Sequence, residues 1–175
     1  MRRLILLRHA KSDWPENVAD HDRPLDERGR AQAPLMGRYL AEERIIPDVA
    51  IVSTARRTQE TWRLASEAFS EAIPRRDEPR LYAASADMAI HVARGAEGDP
   101  RTLLMVGHNP SFHEAAAMLT GHGDRYAFAR LKERFPTCAM AIIDFAVENW
   151  SEIAPRGGRL DRYLTPKSLG GEDAN

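Results

Sequence analysis

Arg3-Leu4-Ile5-Leu6-Leu7-Arg8-His9 is the stretch on which the reading of this chain turns. Residues 4–7 are apolar at every position rather than at alternate ones, the pattern of a strand buried on both faces of a sheet. The run stops abruptly at Arg8-His9. The same cadence returns twice further on. Residues 48–52 (DVAIV) lead into Ser53-Thr54-Ala55-Arg56-Arg57, and residues 102–106 (TLLMV) lead into Gly107-His108-Asn109-Pro110. Each time a buried run ends, His or Arg follows, and helical spacing comes next. Strands alternating with helices predict an α/β domain, a three-layer α/β/α sandwich with a mostly parallel central sheet.

Working outward, the polar stretch from Lys11 to Glu27 has no helix or strand period, and a connection of that length is usually functional or mobile. Asp26 is placed to cap a helix, with Ala31, Leu35, Leu40 and Ile45 on its inner face and Pro47 as its stop. Ser53-Thr54 reads as a capping pair for a helix over residues 55–70. A short strand is expected near Leu81, and Ser85 starts a helix ending at Gly95. Pro110 falls near the first turn of a further helix. Residues 137–147 read as a late strand and 159–164 as a last strand at a sheet edge. A single domain is expected over residues 1–165, followed at 166–175 by a polar, glycine-bearing tail read as loose.

The 25 Lys and Arg residues nearly balance 26 Asp and Glu, for a net charge of −1. That leaves no basic footprint for nucleic acid or an anionic membrane, so any basic site must be local. Cys138 is the single cysteine, which excludes an internal disulfide and a structural cysteine zinc site. The apolar run after Arg2-Arg3 is too short for a signal-peptide core, and no stretch approaches the roughly 20 apolar residues of a membrane span. The cytoplasm is the expected compartment.

Ligands of open α/β sheets bind beyond the carboxyl ends of the strands, where helix N-termini add a positive dipole end. Arg8, His9, Arg57 and His108 all fall on that rim. Planar guanidinium groups match phosphate oxygens bidentately. Neighbouring cations lower an imidazole's pKa and keep its lone pair free for attack on phosphorus. They also offset phosphoryl charge, by about 4 kcal/mol per close pair at an effective dielectric near 20.

Arg8-His9-Ala10-Lys11-Ser12-Asp13-Trp14 resembles the Arg-His-Gly signature of the histidine phosphatase superfamily, which includes the cofactor-dependent phosphoglycerate mutases. Leu25, Gly29, Gln32 and Ala33 are similar to that family's first-helix pattern. Ser53, Arg57 and Thr61 fit its Ser-x3-Arg-x3-Thr spacing, which selects Arg57 over Arg56, and Gly107-His108-Asn109-Pro110 resembles its second-histidine motif. The short length and Asp22-Arg23-Pro24-Leu25 look most like the small SixA-type phosphohistidine phosphatases. The resemblance implies His9 as nucleophile, Arg8, Arg57 and His108 around the phosphate, no metal or other cofactor, and a phosphohistidine intermediate hydrolysed by water. It implies a phosphorylated protein, such as a phosphohistidine-carrying signalling protein, or a small phosphorylated metabolite as partner.

Three departures bear on the chemistry. Ala10 replaces the usual Gly, and Pro15 stands where mutases commonly carry a phosphate-contacting Asn. Leu81-Tyr82 is followed by Ala83, where mutases and many broad phosphatases place an acid. An alkoxide leaving group needs a proton, whereas a labile phosphoramidate needs less help. The missing acid therefore favours a nitrogen–phosphorus substrate, or a donor elsewhere such as Asp13, Asp22 or His21. Two readings compete with a phosphohistidine phosphatase: a small-molecule phosphomonoesterase and a non-catalytic phosphoprotein-binding module. A metal-dependent hydrolase built on His9, His21 and His108 is more remote, as is a mutase. His91, His113 and His122 read as ordinary surface or helix histidines. Cys138 lacks the arginine a cysteine-phosphatase loop would need at position 144, which is Asp144.

Overall fold

Strand β1 (Arg2–Arg8) lies at the centre of a seven-stranded sheet in a computed structural model that describes residues 1–174. The remaining strands are β2 (Val49–Ser53), β3 (Arg75–Glu78), β4 (Thr102–Gly107), β5 (Thr120–Gly123), β6 (Met140–Phe145) and β7 (Gly158–Leu164). They run in the order β3-β2-β4-β1-β6-β7-β5, and only β6 is antiparallel to its neighbours. The helices are α1 (Glu27–Glu42), α2 (Arg56–Ser66), α3 (Ala86–Arg94), α4 (Ser111–Leu119) and α5 (Arg125–Glu133).

The continuous apolar run of β1 has its explanation in the two cores. Leu4 and Leu6 pack on one face with Ala89 and Ile90 of α3, Phe112 of α4 and Leu131 of α5. Ile5 and Leu7 pack on the other with Met36 and Leu40 of α1 and Trp62 of α2. All four β1 side chains are buried, each stabilising the fold by about 1.5–3 kcal/mol. Glycines set the closest approaches on the second face. A Cβ at Gly37 would lie 2.0 Å from the Ala65 carbonyl oxygen, and one at Gly29 would lie 2.0 Å from that of Lys11. The first brings α1 against α2. The second lets α1 support the loop that follows β1.

Several expectations match. The Asp26 side chain caps α1 by accepting from Gly29 N–H (2.9 Å), and Ser85 caps α3 by accepting from Met88 N–H (3.1 Å). Others are corrected. The strand expected near Leu81 is β3, several residues earlier, and Leu81 closes a 3₁₀ turn over Pro79–Leu81. β7 is not an edge strand, because it pairs with both β6 and β5. β5 itself was not foreseen: Thr120-Gly121-His122-Gly123 has no alternation, and only pairing with β7 makes it a strand. α2 is capped by Ala55 without a side-chain bond, since the Ser53 hydroxyl is committed elsewhere.

The tail read as loose is held through Ala174 by partners distant in sequence. Thr137 N–H donates to Ala174 O (3.0 Å), Gln32 Nε2 donates to Glu172 O (3.2 Å), and Arg134 pairs with Asp173. Asn175 lies outside the described residues. Among the described residues, no helix is long and apolar enough to cross a membrane.

Candidate active site

Strands β2, β4 and β1 are adjacent and parallel, so their carboxyl ends open on one edge of the sheet. That topology brings three distant segments together. The His9 and His108 rings lie 5.4 Å apart, tilted by 56°. Arg57, on the first turn of α2, and Arg8, at the end of β1, are close enough for their charges to act on both imidazoles. Arg8, His9, Arg57 and His108, each singled out in the sequence, therefore share one pocket. Arg56 does not join them: its side chain is more than half exposed and pairs with Glu60 at 3.7 Å.

Each imidazole is oriented by a single short contact, and for His9 that contact also fixes the tautomer. His9 Nδ1 lies 2.7 Å from Ala10 O, and a carbonyl can only accept, so the proton sits on Nδ1 and Nε2 keeps its lone pair. His108 Nε2 lies 2.7 Å from Ser53 Oγ, and that hydroxyl accepts from Ala55 N–H at 3.4 Å. The hydroxyl has a further lone pair and a proton to offer, so this contact orients the His108 ring without fixing which nitrogen carries the proton. Both rings are neutral at ordinary pH. Burial is the main force holding His9 well below the usual histidine value, with His108, Arg8 and Arg57 adding to it. Burial, followed by the Arg57 charge, pushes His108 down to about 3.

The arginines are anchored through some of their nitrogens only. Arg57 donates from Nη1 to Asp20 O (2.8 Å) and from Nη2 to Asp20 Oδ2 (3.2 Å). Arg8 donates from Nη1 to Phe135 O (3.1 Å), and burial together with Arg57 lowers its pKa to about 10. Arg8 Nε, Arg57 Nε and His108 Nδ1 are buried with no hydrogen-bond partner. A buried donor left unpaired costs about 1–3 kcal/mol. The two guanidinium N–H groups are such donors, and with the His108 nitrogen beside them they make a site for an acceptor-rich anion.

Thr61 gives the Ser-x3-Arg-x3-Thr spacing its physical meaning. Its hydroxyl donates to Arg57 O (2.7 Å) and accepts from Ala10 N–H (2.9 Å), tying α2 to the turn that carries His9. Ala10 is fully buried in that turn without a left-handed backbone, so the turn does not require the conformational freedom of Gly.

Asp20 and Tyr82 were not among the expected site residues. The Asp20 carboxylate accepts from Tyr82 Oη (2.5 Å), Arg23 Nη1 (3.0 Å) and Arg57 Nη2 (3.2 Å). Chiefly the Tyr82 bond, then Arg23 and Arg57, hold it far below the usual carboxylate range. Tyr82 stands edge-on to His108, with ring centroids 5.6 Å apart. The spacing of Asp20 and Arg23 was a readable signal, but Tyr82 comes from another segment and had none. Of the alternative proton donors, Asp13 Oδ1 accepts from Trp14 N–H (2.8 Å), and Asp22 is largely exposed beside His21. His21 Nε2 bonds the Thr54 hydroxyl (2.9 Å), and its ring packs edge-on to Tyr82. Among the described residues, no group of three or more His, Cys, Asp or Glu side chains is placed to hold a metal ion.

A mostly parallel α/β sheet that gathers two neutral imidazoles and two arginines at its strand ends defines a class of phosphate-handling proteins. The chain belongs to the histidine phosphatase superfamily, whose branch 1 pattern matches residues 4–85. Within it the chain is SixA-like. It superposes with a TM-score of 0.82 on a candidate phosphohistidine phosphatase SixA from Nakamurella multipartitia, at 26% identity and covering 94% of this chain and 96% of that one. A second candidate SixA, from Agrobacterium tumefaciens, gives a TM-score of 0.77 at 29% identity, covering 94% and 98%. An uncharacterised protein of Mycobacterium tuberculosis is 34% identical over 163 residues, spanning 92% of this chain and all of its own length.

Proposed function

We propose that this phosphatase works without a metal, carries phosphate transiently on His9, and removes it from phosphohistidine on a protein. The observation that carries the reading is the tautomer lock on His9: with the Nδ1 proton given to Ala10 O, the Nε2 lone pair is the nucleophile. Arg8, Arg57 and His108 are the phosphate ligands. They supply the fixed positive charge and oriented donors that phosphoryl transfer mainly requires. The substrate preference is supported by Ala83, which stands in place of an acid, and by Asp20, which is held ionised and cannot serve as one.

Rapid quench of the enzyme with phosphohistidine peptide is expected to trap an acid-labile, base-stable phosphate on the wild-type chain and none on His9→Ala. Turnover is expected to survive a chelator. Release only after zinc is added back would refute the metal-free reading, and release from aryl or metabolite esters alone would move the assignment to a phosphomonoesterase.

A further inference from the structure

The pocket has a floor and a mouth. His9, Arg57 and His108 are each about 7% exposed, whereas the Asp20 side chain is 47% exposed. In-line displacement puts the leaving group opposite the attacking nitrogen. Attack from His9 on the floor therefore sends the leaving group past the mouth, where Asp20 and Tyr82 stand.

Asp20 is fixed there by more than one tether. Its carboxylate is gripped by Arg23, Arg57 and Tyr82, and its main-chain oxygen receives a further bond from Arg57. Arg23 is itself immobilised, by Asp13 O (2.9 Å), by Ser12 Oγ (2.5 Å) and by the Trp14 ring, over which its guanidinium lies at 3.2 Å. An ionised carboxylate has about four acceptor directions. Three donors leave room for one more, and the half-exposed side is where it would come from.

We propose that Asp20 accepts a hydrogen bond from the distal ring N–H of a phosphorylated imidazole, keeps that ring protonated, and so makes the site prefer phosphorus–nitrogen over phosphorus–oxygen bonds. The inference rests on the phosphohistidine reading and assigns its selectivity to one residue. The step balances as follows. The His9 Nε2 lone pair forms a bond to phosphorus while the substrate's P–N bond breaks, its electron pair going to the departing ring nitrogen. The distal proton, held by Asp20, leaves with the ring, so the product is neutral imidazole rather than imidazolate. Water then attacks phosphorus on His9, the P–N electrons return to Nε2, and dihydrogen phosphate departs. An ester gains nothing from this arrangement. Its leaving oxygen carries no second donor for Asp20, and the carboxylate repels the negative charge that develops there.

Asp20→Asn removes the charge, keeps the main-chain anchor of Arg57 and leaves one amide oxygen for Arg57 and Tyr82, while the bond from Arg23 to the second oxygen is lost. We expect its kcat/KM on phosphoimidazole to fall about 100-fold or more, in the range for losing a side chain that holds a leaving group's proton. Its kcat/KM on nitrophenyl phosphate, whose leaving group needs no proton, should fall less, so that the ratio of the two activities drops. Tyr82→Phe leaves the carboxylate in place and should keep the wild-type preference. Equal losses on both substrates in Asp20→Asn would overturn the inference, because Asp20 would then merely hold Arg57. Tyr82→Phe matching Asp20→Asn would also overturn it, by making the phenol the determinant. If the wild type cleaves nitrophenyl phosphate but not phosphoimidazole, the phosphohistidine reading falls and this inference falls with it. If the wild type cleaves both and Asp20→Asn leaves the ratio unchanged, only the inference fails.

Discussion

Burying two neutral imidazoles makes this fold sensitive to acid over a definable window, and His108 permits the size to be worked out. Its pKa is about 3 in the folded chain against 6.5 for an ordinary histidine, chiefly because burial excludes water from the charged form. Between those values the unfolded chain binds a proton that the folded chain does not. Stability is therefore fully present above about pH 6.5 and falls as the pH drops towards the folded value. At about pH 5 the gap from the ordinary value is about 1.5 units, which at 1.36 kcal/mol per unit is about 2 kcal/mol. His9 is displaced in the same direction and adds to the loss. The assay is urea unfolding at about pH 7.5 and about pH 5, for wild type and for His108→Gln, which cannot titrate. With an m-value near 2 kcal/mol per molar urea, the wild-type midpoint should fall by about 1 M more than the variant's. Any general weakness of the variant cancels, since only the change with pH is compared. Parallel losses in the two proteins would refute the claim that His108 is buried neutral.

Arg57→Ala should cost about 2–4 kcal/mol of transition-state stabilisation, read as kcat/KM, if its free Nε meets the transferring phosphoryl group. Arg56→Ala, which loses only a surface ion pair, should remain near wild type, and an equal loss would mean that the other arginine serves the site. Thr61→Val keeps the shape but strands the Ala10 N–H in the interior. Thermal melting should show about 1–3 kcal/mol of destabilisation, and kcat should drop as the His9 turn loosens.

The site was legible to the extent that its residues sit in short local patterns. Arg8-His9 ends an apolar strand, His108 follows another, and Arg57 stands in fixed spacing with Ser53 and Thr61. The roles of the last two were not legible. Ser53 looks like a helix cap in sequence because small hydroxyl residues before a helix usually serve that way. In the structure its hydroxyl lies 2.7 Å from Nε2 of an imidazole 55 residues away and orients that ring. Asp20 had only its spacing to Arg23 to mark it, since its partners Arg57 and Tyr82 arrive from two other segments.

The sequence by itself determined the layering and the chemistry at the strand ends. A strand that is apolar at every position can be satisfied only between two helical layers, and the polar residue that ends it must face the open edge. Only the tertiary structure decided the rest: that β6 runs against its neighbours, that β5 forms an edge, that the tail through Ala174 is held, and which carboxylate stands at the pocket mouth. Periodicity records which face of an element is buried. It carries no information on pairing between distant segments, and a strand without alternation, a docked tail and a carboxylate shared by two arginines are each made by such pairing.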